Sequence, residues 1–113
     1  MVRSLALCLA VCAPAALASC DRRVAGGSTD GRAVYEEACA RCHGPGGVPD
    51  RGQVVRLGVK DLTQAEVQAR MTDDDIRGQI VNGSKNQQMP SFRGVLTDAQ
   101  LDAVIAHVRT LRR

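Results

Sequence analysis

The strongest hydrophobic pattern in the chain lies close to its C-terminus. Thr97-Asp98-Ala99-Gln100 has the form of a capping box, in which a Thr and a Gln three residues apart satisfy the first amides of a helix. Apolar residues then recur at helical spacing and form one stripe: Leu101, Val104, Ile105, Val108 and Leu111. This pattern predicts an amphipathic helix with one buried face.

Weaker patterns predict further helices upstream. Asp30 can cap a helix over residues 31–40. A second capping box begins at Thr63 and predicts a short helix over residues 64–70. Thr72 can cap another helix, because acidic residues fill its first turn and Gly83 is suited to end it.

Two intervening stretches lack helical periodicity. Residues 44–58 contain Gly, Pro and isolated hydrophobic residues, and residues 84–95 contain Met89-Pro90; both are interpreted as loops. No strand-like alternation of useful length occurs anywhere in the sequence. The predicted fold class is therefore all-α, with three to four helices.

The N-terminal residues differ in composition from the rest. Residues 1–19 begin with a positive charge and continue as an uncharged run of mostly Leu, Ala, Val and Cys, the layout of an export signal. The run is shorter than the roughly 20 residues that a membrane-spanning helix needs. A cleaved signal peptide is predicted.

The end of this signal contains a cysteine. Leu17-Ala18-Ser19-Cys20 resembles the bacterial lipoprotein signal, in which the cysteine is lipidated and becomes the new N-terminus; ordinary cleavage after Ala18 is the alternative. Residues 20–30 are polar and contain glycine, and they are predicted to form a flexible tether. Residues 31–113 would then form the folded domain.

Composition limits how the domain can build its core. The exported part contains a single Tyr, Tyr35, and a single Phe, Phe92, although aromatic side chains bury the most apolar area. Something other than side chains is therefore expected to fill part of the core. The formal net charge is +3, with basic and acidic residues mixed, so no nucleic-acid partner is indicated.

The candidate chemistry lies in Cys39-Ala40-Arg41-Cys42-His43. Covalent haem attachment needs two thiols at the separation of two vinyl groups and an imidazole that reaches the iron, and Cys-x-x-Cys-His supplies all three. A thioredoxin-like cysteine pair is one alternative, but no βαβ pattern surrounds it. Zinc is another, and it would need further ligands, for which His107 is the only other histidine.

The iron then needs a sixth ligand or an open position. Met89 is the predicted ligand, because the residue before a proline favours an extended backbone and can present a thioether from a loop. Met71 is interpreted as core filling, and His107 as an ordinary helix residue. Lys85 could bind iron only if Met89 and its loop dissociated from the iron.

Together these residues resemble a small bacterial class I cytochrome c. The resemblance rests on Tyr35 before the Cys-x-x-Cys-His motif and on Ile80-Val81-Asn82-Gly83, Met89-Pro90-Ser91-Phe92 and the closing Leu96 to Leu101 segment. It covers about residues 31–111.

The resemblance implies one covalent haem c bound through Cys39 and Cys42, with His43 as proximal and Met89 as distal ligand. It also implies that the first and last helices pack near the haem, although relatives usually have an aromatic residue in place of His107. A backbone carbonyl that orients the His43 ring is expected between Gly46 and Pro49.

The expected function is electron transfer rather than catalysis. The carrier would serve redox partner proteins on the periplasmic side of a bacterial membrane, held there by the lipid, with a soluble periplasmic protein as the alternative. A second hypothesis is a haem-bearing electron-transfer subunit of a larger periplasmic oxidoreductase. A third is a ligand sensor with a weak or absent sixth ligand. The donor, the acceptor and the redox potential do not follow from the sequence.

Overall fold

Six α-helices follow one another in the described part of the chain, residues 22–113 of the computed structural model, and no strand occurs among these residues. The predicted all-α fold class is confirmed. The predicted signal peptide, residues 1–19, and Cys20 lie outside the described residues. The helices are α1 (Gly31–Ala38), α2 (Ala40–His43), α3 (Arg51–Leu57), α4 (Ala65–Arg70), α5 (Asp73–Asn82) and α6 (Asp98–Thr110).

The predicted C-terminal helix is confirmed as α6, and its apolar stripe lies in the core. The Thr97 hydroxyl accepts a hydrogen bond from the Gln100 amide at 3.2 Å, and the Gln100 side chain accepts one from the Thr97 amide at 3.1 Å. This closes the capping box and fixes the start of the helix. Four members of the stripe are buried: Leu101, Val104, Ile105 and Val108.

Helix α1 packs directly against α6. The two backbones approach so closely at Gly31 that a β-carbon there would lie 2.0 Å from the Ala103 carbonyl oxygen, so only glycine fits. Further along, the ring of the fully buried Tyr35 lies 5.2 Å from the ring of His107. His107 therefore takes the place of the aromatic residue expected there, and the expected packing of the first and last helices is found.

The chain around the Cys-x-x-Cys-His motif folds differently from the prediction. The predicted first helix is interrupted at Cys39 (φ −116°), and α2 begins on the next residue. The predicted loop over residues 44–58 contains α3, which Asp50 caps by accepting hydrogen bonds from the Gly52 and Gln53 amides. The glycines and prolines before Asp50 favoured the prediction of a loop. The valines of α3 are exposed, so the helix has no apolar stripe that the sequence pattern could indicate.

The described end of the predicted tether is held on the domain. Val24–Gly27 form a 3-10 turn. The side-chain amide of buried Gln100 donates 3.0 Å hydrogen bonds to the carbonyls of Val24 and Ser28, and the Ala25 amide donates to Glu37 at 2.7 Å. A buried amide must find partners, and here the N-terminal segment supplies them. Residues 24–28 are therefore held by hydrogen bonds to α1 and α6, and the tether over residues 20–30 stays a prediction.

Candidate functional site

A partly open cavity of about 720 Å³ lies between the helices of the described domain. Residues from all six helices line it, together with the loop that contains Met89. Its walls are mostly apolar; Leu57, Ile76, Ile80 and Phe92 are examples. The volume falls within the roughly 300–1,000 Å³ typical of sites for small organic ligands. A large flat apolar group would therefore replace the aromatic core that the composition lacks.

The two cysteines of the motif lie at one wall of this cavity. Helix α2 is a single turn, in which the Cys42 amide donates to the Cys39 carbonyl at 3.1 Å, and this turn places both thiols on the cavity. Both are free and half-buried. Burial, with Cys42 as a second cause, raises the pKa of the Cys39 thiol to about 11.

His43 is oriented by a backbone carbonyl, but not by the one expected. Its Nδ1 lies 3.1 Å from the Lys60 carbonyl oxygen. The prediction that this carbonyl lies between Gly46 and Pro49 is wrong. The Gly47 carbonyl in that segment accepts a 2.8 Å hydrogen bond from the Leu62 amide, and the chain after α3 returns to place Lys60 beside the ring.

The orientation of His43 has a chemical consequence. Burial lowers the pKa of the His43 imidazole, and the Lys60 carbonyl partly opposes this. The neutral ring donates Nδ1–H to Lys60, which leaves the lone pair on Nε2 free to bind a metal. His43 lines the same cavity as the two cysteines.

Met89 also lines the cavity, from a loop fixed to the end of α5. The Ser84 hydroxyl accepts from the Met89 amide at 2.9 Å, and the Ser84 amide donates to the Met89 carbonyl at 3.0 Å. Gly83, at φ +73°, lets the two segments approach, because a β-carbon there would lie 2.6 Å from the Met89 carbonyl oxygen. The Phe92 amide anchors the far side of the loop by donating to the Ile80 carbonyl at 3.0 Å.

The other candidate ligands differ in position. Met71 lines the same cavity as Met89, so the cavity contains two thioethers. His107 packs on Tyr35, and Lys85 is exposed; neither is among the described residues that line the cavity. Within residues 22–113 no three His, Cys, Asp or Glu side chains are grouped to hold a metal ion. A structural zinc site needs four ligands, which these residues do not supply.

Sequence reasoning missed the part that Arg109 has at this site. Its guanidinium lies at the cavity wall and donates to the Gln68 carbonyl at 2.8 Å and the Met71 carbonyl at 2.6 Å, and it pairs with Asp73 at 2.7 Å. In the sequence, an arginine near a helix C-terminus is explained by its favourable interaction with the helix dipole. Nothing in the sequence around Arg109 shows that its side chain instead links α6 to the junction between α4 and α5.

Comparison with known proteins identifies the class. Residues 27–108 match the family described as cytochrome C oxidase, cbb3-type, subunit III, and the chain therefore belongs to this cytochrome c family. It is a c-type cytochrome, and haem c is the cofactor that the family implies.

Two relatives give the comparison more detail. The solved structure of the KustC0563 c-type cytochrome superposes with a TM-score of 0.68 at 32% identity, covering 74% of this chain and 99% of that one. The dihydro-heme d1 dehydrogenase of Pseudomonas aeruginosa is 34% identical over 83 residues. That match covers 73% of this chain but only 15% of the dehydrogenase. No helix within residues 22–113 is long and apolar enough to span a membrane.

Proposed function

We propose that this protein is an electron carrier with one covalently attached haem c. In this proposal Cys39 and Cys42 would hold the haem through thioether bonds, and His43 and Met89 would bind its iron. The observation that carries it is that all four of these residues line one cavity of about 720 Å³. The family match supports the cofactor, and the roles of the four residues are our assignment.

The protein side of the mechanism follows from the cavity walls. Haem c bound there would supply one-electron chemistry through its iron. Lys60 holds the His43 ring by its Nδ1 proton, which fixes the orientation of Nε2 and makes the ring a better donor. The loop hydrogen bonds at Ser84 hold Met89 in place, and a thioether ligand favours the reduced state. With His43 and Met89 both bound to the iron, substrates would have no access to it.

An optical spectrum of the full chain, produced in a host that attaches haem, tests this proposal. We expect the haem to stay with the denatured chain, a sulfur-to-iron charge-transfer band in the oxidised state, and no rapid binding of carbon monoxide in the reduced state. Haem that is extracted on denaturation would contradict covalent attachment. Rapid carbon monoxide binding without the band would contradict Met89 ligation and favour a ligand sensor.

A second candidate function is an electron-transfer subunit of a larger oxidoreductase. The similarity to the dihydro-heme d1 dehydrogenase favours it. In that protein the matching region is 15% of a much longer chain that is named as an enzyme. In that case any catalysis would take place in the partner. Co-purification of a stable large subunit with the chain at native expression levels would support this candidate, and a chain that purifies alone supports the free carrier.

We further propose that the carrier is lipid-anchored at Cys20 on the periplasmic side of a bacterial membrane. The support is the Leu17-Ala18-Ser19-Cys20 sequence and the apolar run before it. Cys20→Ser should move the haem-loaded protein from the membrane fraction to the soluble fraction, measured by haem absorbance after cell fractionation. Unchanged membrane association of the variant would contradict lipidation, and a wild-type protein that is already soluble would favour cleavage after Ala18.

A further inference from the structure

Arg109 brings a partly buried positive charge to the wall of the cavity. Three described Arg and Lys residues line this cavity, and two of them, Arg41 and Lys60, are exposed. The Arg109 side chain, by contrast, is only 28% exposed. Water and salt screen an exposed charge strongly, whereas a partly buried charge acts through a lower effective dielectric constant. Of these three cations, Arg109 is therefore the one whose charge is least screened.

The guanidinium of Arg109 is held by backbone carbonyls at the end of α4. It donates to the Gln68 carbonyl at 2.8 Å and to the Met71 carbonyl at 2.6 Å. Helix α4 ends at Arg70, so both carbonyls lie at its C-terminal end. Carbonyls at this end of a helix lack partners within the helix and carry partial negative charge. Without Arg109 this part of the cavity wall would be negative.

The side chain of Gln68 keeps the guanidinium in place. Its amide group donates to the carbonyls of Leu62 and Val108 at 2.6 and 3.0 Å, which uses both of its hydrogens. Its Oε1 then accepts from Arg109 at 3.2 Å. A charge that is fixed in this way acts on the cavity without the reorientation that weakens the effect of a mobile side chain.

Asp73 opposes the charge of Arg109, but less effectively. Its carboxylate accepts from the Arg109 Nε at 2.7 Å. The Asp73 side chain is 69% exposed, and Asp73 is not among the described residues that line the cavity. Solvent therefore screens the negative charge of this pair more than the positive one. The net effect of the pair on the cavity is positive.

We infer that Arg109 sets the reduction potential of the haem site by keeping this wall of the cavity positive. The inference rests on the proposed function and adds a residue that acts on the iron through its charge rather than by ligation. Reduction adds one electron to the iron, so the bound group becomes less positive. A fixed positive charge at the wall stabilises that reduced state and raises the potential.

Removing the charge of Arg109 tests the inference by equilibrium redox titration of the full haem-loaded chain, with hexacyanoferrate(III) as oxidant and dithionite as reductant. In Arg109→Gln the ratio of reduced to oxidised protein at the parent's midpoint should fall about fivefold, a shift of about 40 mV for one electron. Asp73→Asn should shift the midpoint upward, because the guanidinium stays while its opposing charge is lost. Arg109→Lys should keep most of the parent's potential, because it retains the positive charge.

The chain offers a matched control in a second ion pair, Arg77 with Asp102. These side chains are 33% and 70% exposed, nearly the same as the 28% and 69% of Arg109 and Asp73. Neither lines the cavity. Arg77→Gln and Asp102→Asn remove the same charges from the protein, and each should shift the midpoint less than half as far as its counterpart.

Three results would overturn the inference. Equal shifts for Arg109→Gln and Arg77→Gln, or no shift for either, would mean that the charge at the cavity wall has no special effect. A potential that falls as far in Arg109→Lys as in Arg109→Gln would make Arg109 a structural link only. If Arg109→Gln does not fold or loses the sulfur-to-iron band, Asp73→Asn decides, and an unchanged midpoint there overturns the inference.

Failure of the proposed function would look different from failure of this inference. A chain without attached haem would defeat the proposed function. A normal haem spectrum with an intact sulfur-to-iron band and an unchanged midpoint in Arg109→Gln would defeat the role of Arg109 alone.

Discussion

Replacing both Cys39 and Cys42 by serine is expected to leave little folded protein. Residues from all six helices line the cavity of about 720 Å³. Without haem, these helices would lose the group against which they all pack. The apolar walls of the cavity would then lose buried area, at roughly 25 cal/mol per Å² of apolar surface returned to water. A small domain has only about 5–15 kcal/mol of stability. Without a covalent attachment the helices should lose their fixed packing.

Haem staining after denaturing electrophoresis and circular dichroism of the purified chain measure the two effects. The variant should give no stained band and a weak helical signal without a sharp thermal transition. Cys20→Ser provides the matched cysteine-to-serine control and should retain both attached haem and a cooperative transition. A double variant that unfolds cooperatively without haem would contradict the view that the cofactor completes the core.

Replacing Met89 by leucine is expected to change the ligation of the iron while leaving the fold intact. Leucine preserves volume and hydrophobicity, so the change in packing alone should cost less than about 1.5 kcal/mol, and the lost iron–sulfur bond would add to that cost. The thioether is lost, however, and the sulfur-to-iron band should disappear. The reduction potential should fall by on the order of 0.1 V or more, within the roughly 0.8 V range that axial ligands cover. Carbon monoxide should then bind the reduced protein rapidly.

The chain offers a matched control in Met71, which lines the same cavity. Met71→Leu should retain the band, the potential and the resistance to carbon monoxide. Optical spectroscopy and equilibrium redox titration of the two variants decide whether Met89 or Met71 is the iron ligand. If Met71→Leu abolishes the band and Met89→Leu does not, the distal ligand is Met71 and our assignment is wrong.

Elements with strong local signals were predictable from the sequence. Helix α6 begins at a complete capping box and has its apolar stripe on one face, so local and tertiary preferences agree. The five-residue motif likewise predicted haem chemistry by composition and spacing alone. The structure brings Cys39, Cys42, His43 and Met89 to one cavity, as that chemistry requires, although their roles stay predictions.

Features that depend on distant backbone groups were not predictable in the same way. The carbonyl that orients His43 belongs to Lys60, seventeen residues along the chain, and any residue type could supply it. Helix α3 has a good cap at Asp50 but no buried face, so periodicity did not reveal it. The anchoring of residues 24–28 depends on the side-chain amide of Gln100. The sequence predicted only the other role of Gln100, which is to close the capping box with Thr97.

That anchoring limits how far the domain could move from a membrane. If Cys20 is the lipidated residue, as proposed, only three residues separate it from Val24, which Gln100 fixes to α6. A fully extended chain covers at most about 3.6 Å per residue, so the segment between Cys20 and Val24 could span roughly 14 Å. A domain held by so short a segment cannot carry electrons outward across the periplasm. Its partners would have to present their redox centres within one domain diameter of the lipid headgroups, and the carrier would travel between them by sliding in the plane of the bilayer.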